Sequence, residues 1–156
     1  MDIVRTVTVT RSLDAVFAHL SDLTTTYEWD PGTVGTERVS GDGGPGSRSH
    51  NVSSFLGHET ELDDLATQHT RGEPFALRGE SSTVVASDTM TFMRSHTAEG
   101  AGSMVTHHAA SDLTGVTTFV APVLAPPLKR LGDDAEPGMR DALGWLGRLG
   151  RLEREG

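Results

Sequence analysis

Three side chains in this sequence combine ionisable chemistry with an apolar strand setting: Asp64, Asp88 and His107. The stretch STVVASDTMTFM (82–93) alternates like a half-buried strand. One face carries Val84, Ala86, Asp88, Met90 and Phe92, and the other carries Thr83, Val85, Ser87, Thr89, Thr91 and Met93. The first set is bulkier and less polar, so it is expected to face the core and to take Asp88 with it. In SMVTHHAASDL (103–113) the same parity groups Val105, His107, Ala109, Ser111 and Leu113. A two-residue turn at Glu99-Gly100 would set Phe92 opposite His107 and Asp88 opposite Ser111. An inward carboxylate beside an imidazole can orient a polar ligand group or shuttle a proton. The competing role is structural: Asp88 accepting local hydrogen bonds, with His107 on the solvent face. In HETELDDLAT (58–67) Leu62 and Ala66 share parity with His58, Thr60 and Asp64, which points Asp64 inward as well.

Other chemistries find no anchor. The chain has seven histidines but no His-x-His, His-x3-His or HExxH spacing, and His107-His108 fall on opposite faces of a strand. No metal and no cofactor is expected. Gly41 to Gly46 lacks the Lys-Ser/Thr and the following helix of a phosphate loop. There is no Gly-x-Ser-x-Gly. Without cysteine, disulfides, thiol catalysis and thiolate metal sites are excluded.

The elements that must position these groups follow from pattern. IVRTVTVT (3–10) is β-branched and reads as a strand. Ser12 is placed to cap a helix with Val16, Phe17, Leu20 and Leu23 at helical spacing. That signal fades through LTTTYEW, and Asp30-Pro31-Gly32 ends it. Strands follow at 33–40, 47–56, 58–67, 74–80, 82–93 and 103–113, with Gly57 a bulge or tight connection and 96–102 a hairpin connection. From Leu124 to Leu152 apolar residues recur in steps of three and four, at Leu124, Leu128, Leu131, Ala135, Met139, Ala142, Leu146 and Leu149. That is one helical stripe, in phase across Pro137-Gly138, where a kink and not a stop is expected. The order is strand, two short helices, six strands, long helix. This is an α+β fold in which a seven-stranded antiparallel sheet can share a core with the helix only by curling around it. Such wrapping leaves space between them.

With 156 residues the chain suits one domain, 1–156, large enough to bury a core. A net charge of −9 disfavours nucleic acid as a partner. No apolar run reaches the ~20 residues of a membrane span, and the amino terminus lacks a signal-peptide plan. A cytoplasmic protein is expected. The basic residues gathered near the carboxy terminus complement a helix dipole.

Val16, Phe17, Leu20, Asp22, Tyr27, Trp29, Asp30 and Pro31 resemble the VF…L.D…Y..WDP signature of the START-like, helix-grip superfamily. FLGHETEL (55–62), SDTMTF (87–92) and LAPPLKRLGDDAEPGMRDAL (124–143) resemble its actinobacterial polyketide cyclase/dehydrase branch. The likeness covers nearly the whole chain and concerns structural motifs, so it speaks to fold more than to chemistry. It implies a pocket between sheet and long helix, with the short helices and their exit turn on its rim. Tyr27 and Trp29 would then offer rigid area with polar tips, although Trp29 could equally plug the open end. Relatives of this branch often hold aromatics where this chain has Asp64 and His107.

Three functions fit. The first is a container for a small, mostly hydrophobic molecule, lipid or polyketide-like, lined by Tyr27, Trp29, Asp64, Met90, Phe92, Ala109, Ser111 and Leu128. The second is a cyclase/dehydratase in which Asp88 and His107 transfer protons during aldol closure and water loss. The third is a partner-binding domain with a filled grip. The first is preferred, and a homodimer stays open. Asp88 and His107 facing inward within hydrogen-bond reach would favour the second.

Overall fold

The computed structural model describes residues 2–113, 126–127, 129–131 and 133–144. Strand β1 (Asp2–Val9) opens the chain. Helix α1 (Leu13–Leu20) follows, and a 3₁₀ turn spans Leu23–Glu28. Six strands come next: β2 (Thr33–Ser40), β3 (Arg48–Phe55), β4 (His58–His69), β5 (Phe75–Glu80), β6 (Val84–Thr97) and β7 (Gly100–Leu113). The described residues of the carboxy-terminal stretch are helical, and α2 denotes 133–144. All seven strands form one curved antiparallel sheet in the order β1-β7-β6-β5-β4-β3-β2. From β3 onward each strand pairs with its predecessor, β1 pairs with β7, and β1 and β2 are the two edges of the sheet.

Local chemistry accounts for the boundaries. Ser12 Oγ accepts the Ala15 amide at 3.3 Å and caps α1. Asp22 does the same for the 3₁₀ turn, accepting the Thr24 amide at 3.1 Å. Leu56 and Gly57 both take positive φ, 52° and 80°, and form the two-residue turn between β3 and β4. Gly57 is therefore a tight connection and not a bulge. The β6–β7 turn is Ala98-Glu99, with Gly100 (φ 125°) paired to Thr97. The Glu99-Gly100 turn expected from sequence is corrected by that register: Met90 opposes His107, and Asp88 opposes Ala109. The displacement is even, so every side chain keeps the face that parity assigned it.

The core lies between the concave face and the helices. Val7 and Val9 of β1, Val16, Phe17 and Leu20 of α1, Phe75, Met90 and Val105 of the sheet, and Met139 and Leu143 of α2 share one buried cluster with Trp29. Ala135, Met139 and Leu143 step by four along α2, as a buried helical face requires. Helix α2 runs through Pro137 without a break. Gly138 explains why a glycine sits there: a Cβ would come within 2.1 Å of the Trp29 carbonyl oxygen. The helix and the WDP turn are in backbone contact at that point. Leu124, Leu128, Leu146 and Leu149 of the expected stripe lie outside the described residues.

Packing is uneven across the sheet. The inward face of β3 carries Ser49, Asn51 and Ser53 in place of aliphatic side chains. Small polar groups do not fill the space under that arm, whereas toward the β6–β7 turn the β1–β7–β6 side is closed by Val7, Val9, Val105, Phe17 and Met90.

Candidate functional site

The space left by this asymmetry is a cavity of about 140 Å³. Its apolar wall comes from Leu20, Leu23, Phe75, Leu77 and Met90, and its polar wall from Thr33, Asn51 and Ser53. Asp30, Asp64, Asp88, His107, Trp29 and Ala86 also line it. A second cavity of about 170 Å³ lies under β1, β7 and α2 and shares Asp30, Ala86, Asp88 and His107 with the first.

Strand parity delivers Asp88 and His107 to the same face of adjacent strands. They sit diagonally across the β6–β7 ladder, close enough for side chains to meet. His107 Nε2 lies 2.9 Å from Asp88 Oδ1. With the carboxylate ionised, the imidazole N–H donates. The Trp29 ring stands edge-on to the His107 ring, with centroids 6.0 Å apart and planes at 89°. The imidazole is thus held on two sides. Trp29 is 5% exposed, and its Nε1 is buried without a hydrogen-bond partner among the described residues.

Asp64 has a different environment. It is 8% exposed and receives no hydrogen bond from the described protein groups. Burial first, then the like charges of Asp88 and Asp63, push its carboxyl up to about 7. It fits because the residue opposite on β5 is Gly79, whose missing Cβ would come within 2.4 Å of Asp64 Oδ1. Near neutral pH this group is partly a neutral acid, able to donate a hydrogen bond.

Asp30 is a site residue that sequence reasoning treated only as a turn former. Its Oδ1 accepts the Gly32 amide at 2.9 Å and its Oδ2 accepts the Thr33 hydroxyl at 2.9 Å. Burial nevertheless raises its pKa, because desolvation outweighs those bonds. Asn51 and Ser53 were also missed. Ser53 Oγ donates to Asn51 Oδ1 at 2.6 Å, and Asn51 Nδ2 donates to Thr36 Oγ1 at 2.8 Å. The readable signal was polar alternation in SHNVSS on a strand required to face a core.

Of the residues expected to contact a ligand, Trp29, Asp64 and Met90 line the first cavity, and Ala109 and Ser111 the second. Tyr27 is 56% exposed and lines neither. Two positions separate it from Trp29, and the 3₁₀ turn sends the two rings apart. Phe92 also lines neither; it packs edge-on against Phe17, centroids 5.1 Å apart, in the core. Leu128 lies outside the described residues. No cluster of three or more metal-ligating side chains occurs among the described residues. None of their helices is long and apolar enough to cross a membrane.

Residues 1–145 match the profile of the family described as polyketide cyclase/dehydrase and lipid transport. The chain belongs to that family. Solved structures agree on the fold. A START superfamily protein from Mycobacterium smegmatis aligns with a TM-score of 0.68 at 15% identity, covering 97% of this chain and 98% of its own. The ZhuI aromatase/cyclase from a Streptomyces species aligns with a TM-score of 0.70 at 17% identity, covering 92% and 93%. A Thermus thermophilus protein aligns with a TM-score of 0.72 at 12% identity, covering 92% and 97%. No curated protein matches the chain. This polyketide cyclase/dehydrase family member therefore has the helix-grip architecture, and its cavity holds three carboxyls and an imidazole.

Proposed function

We propose that the protein binds a small, mostly hydrophobic molecule carrying oxygen functions, in the cavity that the concave face of the sheet forms with α1, the 3₁₀ turn and the WDP turn. The observation that carries this is the division of the cavity wall: Leu20, Leu23, Phe75, Leu77 and Met90 face Asn51, Ser53, Asp64 and Thr33. Thr33, Asn51 and Ser53 already bond within the protein, but a purely aliphatic chain would strand the Asp64 carboxyl away from water, at a cost of about 1–3 kcal/mol, and leave the remaining capacity of the other three unused. A ligand with carbonyl or hydroxyl groups would satisfy them. Between lipid and polyketide-like ligands, the wall thus favours the oxygenated, polyketide-like class. Ala86 lines both cavities, so Ala86→Trp should fill them. Displacement of anilinonaphthalene sulfonate by a hydroxylated naphthalene should be saturable in the native protein and lost in Ala86→Trp. Equal binding by both would mean the site lies elsewhere.

A second function, cyclase or dehydratase catalysis, is favoured by the 2.9 Å contact of Asp88 with His107. Asp88 would orient the imidazole, and its other nitrogen would take the proton α to a ketone. Neutral Asp64 would donate to the ketone oxygen as charge develops there. The carbanion would then attack a second carbonyl of the same chain, and water would leave after protonation of the new hydroxyl. His107→Ala should abolish turnover of a linear poly-β-ketone mimic while leaving binding of the naphthalene probe intact. Unchanged turnover would leave the protein a container only.

A further inference from the structure

The two cavities share four lining residues, Asp30, Ala86, Asp88 and His107, and two of these are bonded to each other. We infer that the Asp88–His107 bond is a partition across one continuous ligand space, and that it sets the length of ligand the protein accepts. This deepens the ligand-binding reading and rests on it.

The geometry is specific. Along the inner faces of β6 and β7 the side chains run Ala86, Asp88, Met90 and, antiparallel, Ser111, Ala109, His107. The inner cavity lies on the Met90 side, and the outer on the Ala109 and Ser111 side. His107 leans across the ladder to Asp88, so its ring stands where the two spaces meet. Beyond it, Ala109, Ala110, Ser111 and Ala135 leave space beside Ile3, Arg5 and Leu131, while Ala86 borders both cavities. Across the gap stand Asp30 and Trp29, the latter edge-on to the same ring. A ligand that fits the inner cavity meets an intact wall. A longer one must displace the imidazole, breaking a charge-assisted hydrogen bond and a ring contact.

The test uses a homologous series of methyl ketones of about six to about sixteen carbons, titrated by calorimetry. Each additional buried methylene tightens binding about fourfold until the space is full. In the native protein the affinity should stop rising at the partition. Asp88→Ala frees His107 without removing its bulk, and affinity should then rise over at least about two further carbons, a gain above about tenfold. His107→Ala should give the same extension. Asp88→Asn can still bond the imidazole and should keep the native limit. If Asp88→Ala keeps the native limit, the bond is no partition. An extension in His107→Ala alone would assign the wall to ring bulk and overturn the role of the bond. Ketones that bind with no length limit in the native protein would also overturn it. Ketones that bind no variant would sink the ligand-binding reading itself. Thermal unfolding of each variant confirms that it is folded, and Asp88→Ala carries the test if His107→Ala is not.

Discussion

Replacing Asp64 by Asn tests the electrostatics of the cavity directly. The side chain is nearly isosteric but carries no proton to lose. In the native protein, burial and the charges of Asp88 and Asp63 raise the Asp64 carboxyl from 3.8 to about 7. That rise corresponds to at most about 4 kcal/mol. The folded state holds the proton more tightly than the unfolded chain does. Between about pH 4 and about pH 7 the folded protein therefore binds more protons, and its stability falls as pH rises through that window. Above it the full cost of the buried charge is present, and below it the cost vanishes. Asp64→Asn should match the native protein near pH 4 and be the more stable of the two above pH 7. Other titrating groups, including Asp30, act in both proteins and largely cancel in the difference. Water entering the cavity would soften the effect, so a gain of about 1–4 kcal/mol is expected above pH 7, or several degrees in Tm. Urea unfolding across this range, native against variant, measures it. A stability difference that stays flat with pH would refute an Asp64 buried without a partner.

Asp88→Asn removes a like charge from beside Asp64, so the Asp64 midpoint should fall. Carbon-13 NMR titration of the aspartate carboxyls reads this, and an unmoved midpoint would mean the two groups do not sense each other. Gly138→Ala places a methyl 2.1 Å from the Trp29 carbonyl oxygen, which is backbone and cannot swing aside. The variant should lose about 1–3 kcal/mol despite the better helix propensity of alanine. Its Trp29 fluorescence, followed in a Trp145→Phe background, should shift red. Unchanged stability would mean that α2 does not rest on the WDP turn.

Much of the frame was legible because the core side is written in Val, Phe and Met at clean spacing. Parity along β6 and β7 placed Asp88 and His107 on one face, and that survived a misplaced turn. The sequence offers Gly100 for the turn itself, yet Gly100 serves as a paired residue beyond it with φ 125°. An even displacement hides such an error, since it moves pairs without turning faces. Less was legible under β3. Hydrophobic periodicity carries no signal where the inward residues are Ser49, Asn51 and Ser53. Asp30 was obscured by its neighbours, since Asp-Pro-Gly reads as a turn whatever the carboxylate does. Gly79 was an available clue: a glycine inside a strand often marks close approach from a neighbour, and here the neighbour is Asp64.

The acidic groups differ in what each does for stability. Asp30 ties its own turn together with two hydrogen bonds, so a structural role explains it. Asp88 has His107, and the pair could persist as a packing device. Asp64 receives no hydrogen bond from the described residues and is opposed by two like charges, which the weaker pull of His50 does not offset. At that place an asparagine would cost the fold less. Selection for stability alone does not hold a bare carboxyl against a cavity wall when cheaper side chains fit. A buried group balanced near neutral pH is what hydrogen-bond donation to a carbonyl, or proton transfer to it, calls for. Asp64, more than the better-bonded pair across from it, is thus the residue whose presence the fold alone does not explain. If Asp64→Asn binds oxygenated naphthalenes as tightly as the native protein at every pH, that explanation fails and the carboxyl has no function in binding.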